Sequence, residues 1–112
     1  MESKVGIWPT GEPGLWCLVG ELNWVKEDGN LIVIEDGFIT DLASIPSWLQ
    51  WLVNPYDPLT APASVLHDWM LDKKMDQKKA VKEFYRRLVF DKFPVWKAKL
   101  YYAAVFVFIR SK

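Results

Sequence analysis

Residues 22–34 read Leu22-Asn23-Trp24-Val25-Lys26-Glu27-Asp28-Gly29-Asn30-Leu31-Ile32-Val33-Ile34. Two short runs rich in Leu, Val, Ile and Trp flank a polar tetrapeptide whose Asp-Gly pair tolerates positive φ, so the stretch predicts a β-hairpin. A further apolar run, from Leu15 to Val19, reads as another strand, and a second Asp-Gly pair, Asp36-Gly37, closes the strand that ends at Ile34. Before them, Pro9, Gly11, Pro13 and Gly14 predict an irregular lead-in or edge loop.

Downstream the pattern turns helical. Ser47 with Gln50 three residues on is a capping-box signature, and with Pro46 it predicts a short helix from Trp48 to about Val53, ended by Asn54-Pro55. Thr60 followed by Pro62 predicts a capped helix to about Lys73, with proline in the first turn, where a missing N–H costs little. Asp76 is placed to cap a third helix, whose apolar stripe Val81, Phe84, Tyr85 and Leu88 has spacing i, i+3, i+4, i+7. Pro94 opens a last one, Val95 to Ile109, apolar on nearly all sides, which implies deep burial or a contact surface. The fold class is therefore α+β: a small N-terminal antiparallel sheet followed by about three packed helices. At 112 residues the chain fits one domain, with residues 1–46 as its β and loop part and 47–112 as its helical part.

With 51% hydrophobic and 25% charged residues the chain can bury enough apolar surface to fold. One cysteine excludes an internal disulfide framework and multi-cysteine zinc sites, and one histidine excludes any site needing two. Cys17 is expected as a small buried hydrophobe. There is no P-loop, no Gly-x-Gly-x-x-Gly and no EF-hand loop, and nothing reads as a secretory signal. Leu100 to Ile109 carries no charge, but ten residues are about half of what a bilayer requires, so no transmembrane span is expected.

Net charge is zero, yet its two signs are segregated. Met1 to Asp72 holds two Lys against eleven Asp or Glu, a balance of −9, and Lys73 to Lys112 holds twelve Lys or Arg against Asp76, Glu83 and Asp91, a balance of +9. Two halves that attract each other on folding explain this. A basic face for nucleic acid along Lys74, Lys78, Lys82 and Arg86 is the less favoured explanation.

Two polar clusters lie inside apolar sequence: Gly37-Phe38-Ile39-Thr40-Asp41-Leu42-Ala43-Ser44-Ile45-Pro46 and Val65-Leu66-His67-Asp68-Trp69. Buried polar groups need partners, since an orphan costs about 1–3 kcal/mol. If the first cluster packs over the helix bearing the second, Thr40, Asp41, Ser44, His67 and Asp68 form a structural bridge or a site. The site could be a divalent metal held by Asp41, His67 and Asp68, or Ser44 or Thr40 activated by His67 as base, with Asp41 orienting it. On a helix His67 and Asp68 point about 100° apart, so their roles should differ. Trp48, Trp51 and Trp69 flank the clusters as core residues or as walls of a pocket.

The paired motifs, Gly37-Phe38-x-Thr40-Asp41-x-Ala43-Ser44-x-Pro46 and Ala63-x-x-x-His67-Asp68-Trp69, resemble a small uncharacterised family encoded by tailed bacteriophages and prophages, over about Ile34 to Phe84. Leu71 and Asp72 stand where that family tends to carry Tyr and Arg, and Ala80-Val81 where an Ala-Asp pair is usual. The resemblance implies a viral origin, with Thr40, Asp41, Ser44, Pro46, His67 and Asp68 as signature positions. The two polar clusters and the segregated charge add the expectation of an accessory protein in the host cytoplasm, with Thr40, Ser44, Trp48 and Trp69 organising a Thr-Asp/His-Asp site and a viral or host protein as partner. Its alternatives are a capsid or tail component of the virion, and a small hydrolase using His67, Asp41 and Asp68, with or without a metal ion.

Overall fold

The computed structural model describes residues 6–13, 15–40, 51–52 and 59–110, the last five by backbone alone. Five strands precede three helices: β1 (Gly6–Pro9), β2 (Trp16–Val19), β3 (Leu22–Val25), β4 (Leu31–Ile34), β5 (Ile39–Thr40), α1 (Ala61–Asp72), α2 (Gln77–Phe90) and α3 (Val95–Arg110).

The expected hairpin is β3–β4, with Leu22 opposite Ile34 and Val25 opposite Leu31. Lys26 N donates to Asn30 O at 2.8 Å and Gly29 N to Lys26 O at 2.9 Å. Gly29 sits at φ +91°, a conformation for which glycine pays no steric cost. The two-residue side-chain period puts Leu22, Trp24, Ile32 and Ile34 in the core and Asn23, Val25, Leu31 and Val33 outside.

The lead-in is more regular than its composition predicts. Gly6–Pro9 is an edge strand on β2, in register Ile7 to Leu18 and Trp8 to Cys17. Proline is admissible at its end because an edge strand can forgo an N–H on its free side. Thr10 N closes the turn onto Leu15 O at 3.1 Å. A second unexpected strand, β5, pairs with the other side of β2, Trp16 opposite Thr40 and Cys17 opposite Ile39. The one sheet expected is thus two, a three-stranded β1-β2-β5 and the two-stranded β3-β4. Cys17 is half-buried on the outer face beside exposed Trp8 and Ile39, rather than in the core.

Helix α1 starts after Thr60 with proline in its first turn, as expected, but Thr60 does not cap it. The residue is fully buried with φ −106° and ψ −15°, already helical, and it serves through its carbonyl, which accepts from Ser64 N at 2.9 Å. Asp76 does cap α2, its Oδ2 accepting from Lys79 N at 3.1 Å. The expected helix from Trp48 lies almost wholly outside the described residues. Trp51 is 77% exposed and Leu52 is buried.

Two apolar clusters share α1. Leu18, Leu22, Trp24, Ile32 and Ile34 meet Val65, Leu66 and Met70 on the sheet side, and Ala63 joins Phe84, Leu88, Ala98 and Tyr101 on the helical side. Helix α3 buries Ala98, Tyr101 and Val105 and exposes Val95, Trp96 and Leu100, so its apolar surround is not a sign of burial on every face. Among the described residues, no helix is long and apolar enough to cross a membrane. Charge segregation acts within the fold: Lys82 Nζ lies 3.2 Å from Glu27 Oε2 in the hairpin turn, and Arg86 donates to Val25 O at 3.3 Å.

Candidate functional site

Among the described residues, a hydrogen bond joins the two motifs. Thr40 stands on β5 opposite Trp16, facing inward and 2% exposed. Its Oγ1 donates to Oδ2 of Asp68 on α1 at 2.6 Å, the short distance of a hydroxyl bound to an ionised acceptor. Replacing Thr40 by Val keeps the shape and removes the donor, and should cost about 2 kcal/mol of stability in urea denaturation. A loss under 0.5 kcal/mol, on the order of a solvated surface contact, would show that the bridge is not formed.

His67, one position earlier, faces the other way. It is 5% exposed and meets Phe84 edge-on at a centroid distance of 5.6 Å. Burial pushes its pKa down to about 4, so the ring is neutral at pH 7. Nδ1 has no hydrogen-bond partner among the described residues, and neither do the buried Ser64 Oγ one turn before or the Tyr101 hydroxyl on α3. Tyr101 leans on Phe84 at 4.8 Å, and burial raises its pKa.

Asp41, Ser44 and Trp48 lie outside the described residues. Among the described residues, no three His, Cys, Asp or Glu side chains converge in a way that could hold a metal. The expected divergence of His67 and Asp68 is realised, one toward the helices and the other toward β5.

An open groove of about 410 Å3 runs between the β4–β5 turn and the C-terminal end of α1. Gly37 and Phe38 of the first motif form one wall with Val33, Glu35 and Asp36, and Trp69 of the second motif forms the other with Lys73. Gly37 holds φ +92°, which a side chain would strain. Asp36 is fixed by accepting from Gly20 N at 2.8 Å, and the Lys73 ammonium lies 5.7 Å from the Trp69 ring centroid. Lys73, Glu35 and Asp36 were not legible as site residues. The one local signal is the i, i+4 spacing of Trp69 and Lys73, which shares a helix face.

A family model described as a protein of unknown function (DUF1353) matches residues 16–105. The chain belongs to this family. No curated protein and no solved structure matches it. The DUF1353 match spans β2 through most of α3 and so contains both motifs and both walls of the groove. Strand β1 lies before it.

Proposed function

We propose that this DUF1353 protein is a phage-encoded accessory binding module, and that its partner or ligand occupies the groove between the Glu35–Phe38 turn and the Trp69–Lys73 face of α1. The observation that carries the reading is that one open groove is walled by residues of both sequence motifs, which the Thr40–Asp68 hydrogen bond ties together. The groove offers aromatic surface from Trp69 and Phe38 and charges of both signs, Lys73 with Glu35 and Asp36, which suits specific recognition of a polar partner. The burial and low pKa of His67 favour binding over proton transfer, because a general base must reach its substrate. We place its action in the cytoplasm of the infected host, on a viral or host protein.

The exposed Val95, Trp96 and Leu100 of α3 favour a second reading, a capsid or tail component whose subunit contact is α3. One experiment separates the two. A photo-crosslinking residue placed at Lys73 should capture a discrete partner during infection, and Trp69→Ala in the same chain should abolish the adduct. Crosslinks from position 96 and none from 73, with the protein found in purified particles, would replace the groove by the α3 contact.

A further inference from the structure

A second groove, of about 430 Å3, shares no residue with the first and lies where the hairpin turn, the α1–α2 corner and α2 come together. Its size is that of a small-molecule site. Its apolar lining is half-buried Met75 and Tyr102, with Met70, 1% exposed, at its edge with the core. Methionine is unbranched and polarizable, and it moulds to flexible apolar chains better than branched residues do.

Four lysines and four carboxylates line the groove, a formal balance of zero, but the carboxylates are already bonded. Each carboxylate lining the groove is engaged. Asp28 pairs with Lys26 at 3.4 Å, Asp76 caps α2, and Glu83 accepts from Trp24, Arg86 and the Glu27 amide. Glu27 pairs with Lys82 at 3.2 Å. Among the ammonium groups, Lys79 has no partner among the described residues. Lys82 is held only by an exposed pair, the kind worth little and readily exchanged. Lys79 and Lys82 are three apart on α2 and share a face of it. The unmet demand at this rim is for negative charge, next to an apolar floor.

We infer that this groove binds a single-chain amphiphile with an anionic head. The hydrocarbon tail lies on Met75 and Tyr102. The head pairs with Lys79 and displaces Glu27 from Lys82.

The test uses the full chain carrying 13C-methyl methionine, titrated with decanoate below its micelle concentration. The methyl signals of Met70 and Met75 should move and saturate. Acetate, the head alone, should leave both in place, and decyltrimethylammonium, the same tail with the opposite charge, should bind at least tenfold more weakly. The double variant Lys79→Glu/Lys82→Glu, altered only at exposed side chains, should lose about tenfold in decanoate affinity, the scale of two surface ion pairs. The inference is overturned by the absence of saturable Met70 and Met75 shifts, by equal affinity for the two head groups, or by a double variant that binds decanoate as the wild type does.

Discussion

Glu83→Ala should cost this protein about 3 kcal/mol, the scale of leaving one buried and one part-buried donor unmet. Glu83 is 5% exposed on α2, and its carboxylate gathers three donors. Trp24 Nε1 donates to Oε1 at 2.9 Å, Glu27 N to Oε2 at 3.0 Å, and Arg86 NH1 to Oε1 at 2.6 Å. The guanidinium carbons of Arg86 and Arg87 each lie 5.3 Å from the Trp24 ring centroid, and Phe90 meets that ring edge-on at 5.4 Å. One carboxylate therefore ties the hairpin to α2. Truncating it strands the Trp24 indole N–H in the core and the part-buried Glu27 N–H, and leaves Arg86, one-third exposed, with Val25 O as its acceptor. Domains of this size are stable by about 5–15 kcal/mol, so the loss is a large share of the total. Glu83→Gln keeps one acceptor oxygen and the shape, and should lose roughly half as much. The check is the urea midpoint at constant m-value. A loss below about 1 kcal/mol for the alanine variant would mean that water satisfies those donors in its place.

This carboxylate marks the boundary of what the sequence could reveal. The β3–β4 hairpin was legible because its signals are local, two apolar runs and an Asp-Gly turn between them. The starts of α2 and α3 were legible for the same reason, through Asp76 and Pro94. Strand β1 was not, since Gly6–Pro9 gains its order from pairing with β2 across a turn whose prolines and glycines read as irregular. Strand β5 is two residues long and exists only because β2 offers it an edge. At the site, the meeting of the two motifs followed from each being polar inside apolar sequence, and Thr40–Asp68 realises it. The opposed directions of His67 and Asp68 followed from helical periodicity. Glu83 read as one of three acids in a basic half, because nothing near it in sequence shows that Trp24, fifty-nine positions earlier, aims an N–H at it. The groove residues Glu35, Asp36 and Lys73 were hidden likewise, since only the packing of the β4–β5 turn on α1 brings them together.

His67 should make the fold acid-sensitive well above the range in which carboxylates titrate. In the unfolded chain a histidine titrates near 6.5, and burial holds this one at about 4. Below pH 6.5 the unfolded state takes up a proton that the folded state refuses, so protons favour unfolding and stability falls as pH falls. The stabilisation is fully present above pH 6.5, declines by about 1.4 kcal/mol per pH unit below it, and is spent at about pH 4, for a total of about 3 kcal/mol. Between pH 6.5 and 5 most carboxylates stay ionised, and His67 is the one histidine in the chain, so a loss of about 2 kcal/mol across that interval belongs to this ring. His67→Leu fills a similar volume against Phe84 and removes Nδ1, which has no partner among the described residues. It should flatten the profile from pH 6.5 to 5 while leaving stability at pH 7 equal to wild type or higher, since an unsatisfied polar atom has been taken out of the core. Urea denaturation of both proteins across that interval is the measurement. A wild-type profile already flat there would mean that the imidazolium is accommodated in the folded state, and with it that the ring is open to proton exchange with a substrate, restoring the hydrolytic reading that its burial argues against.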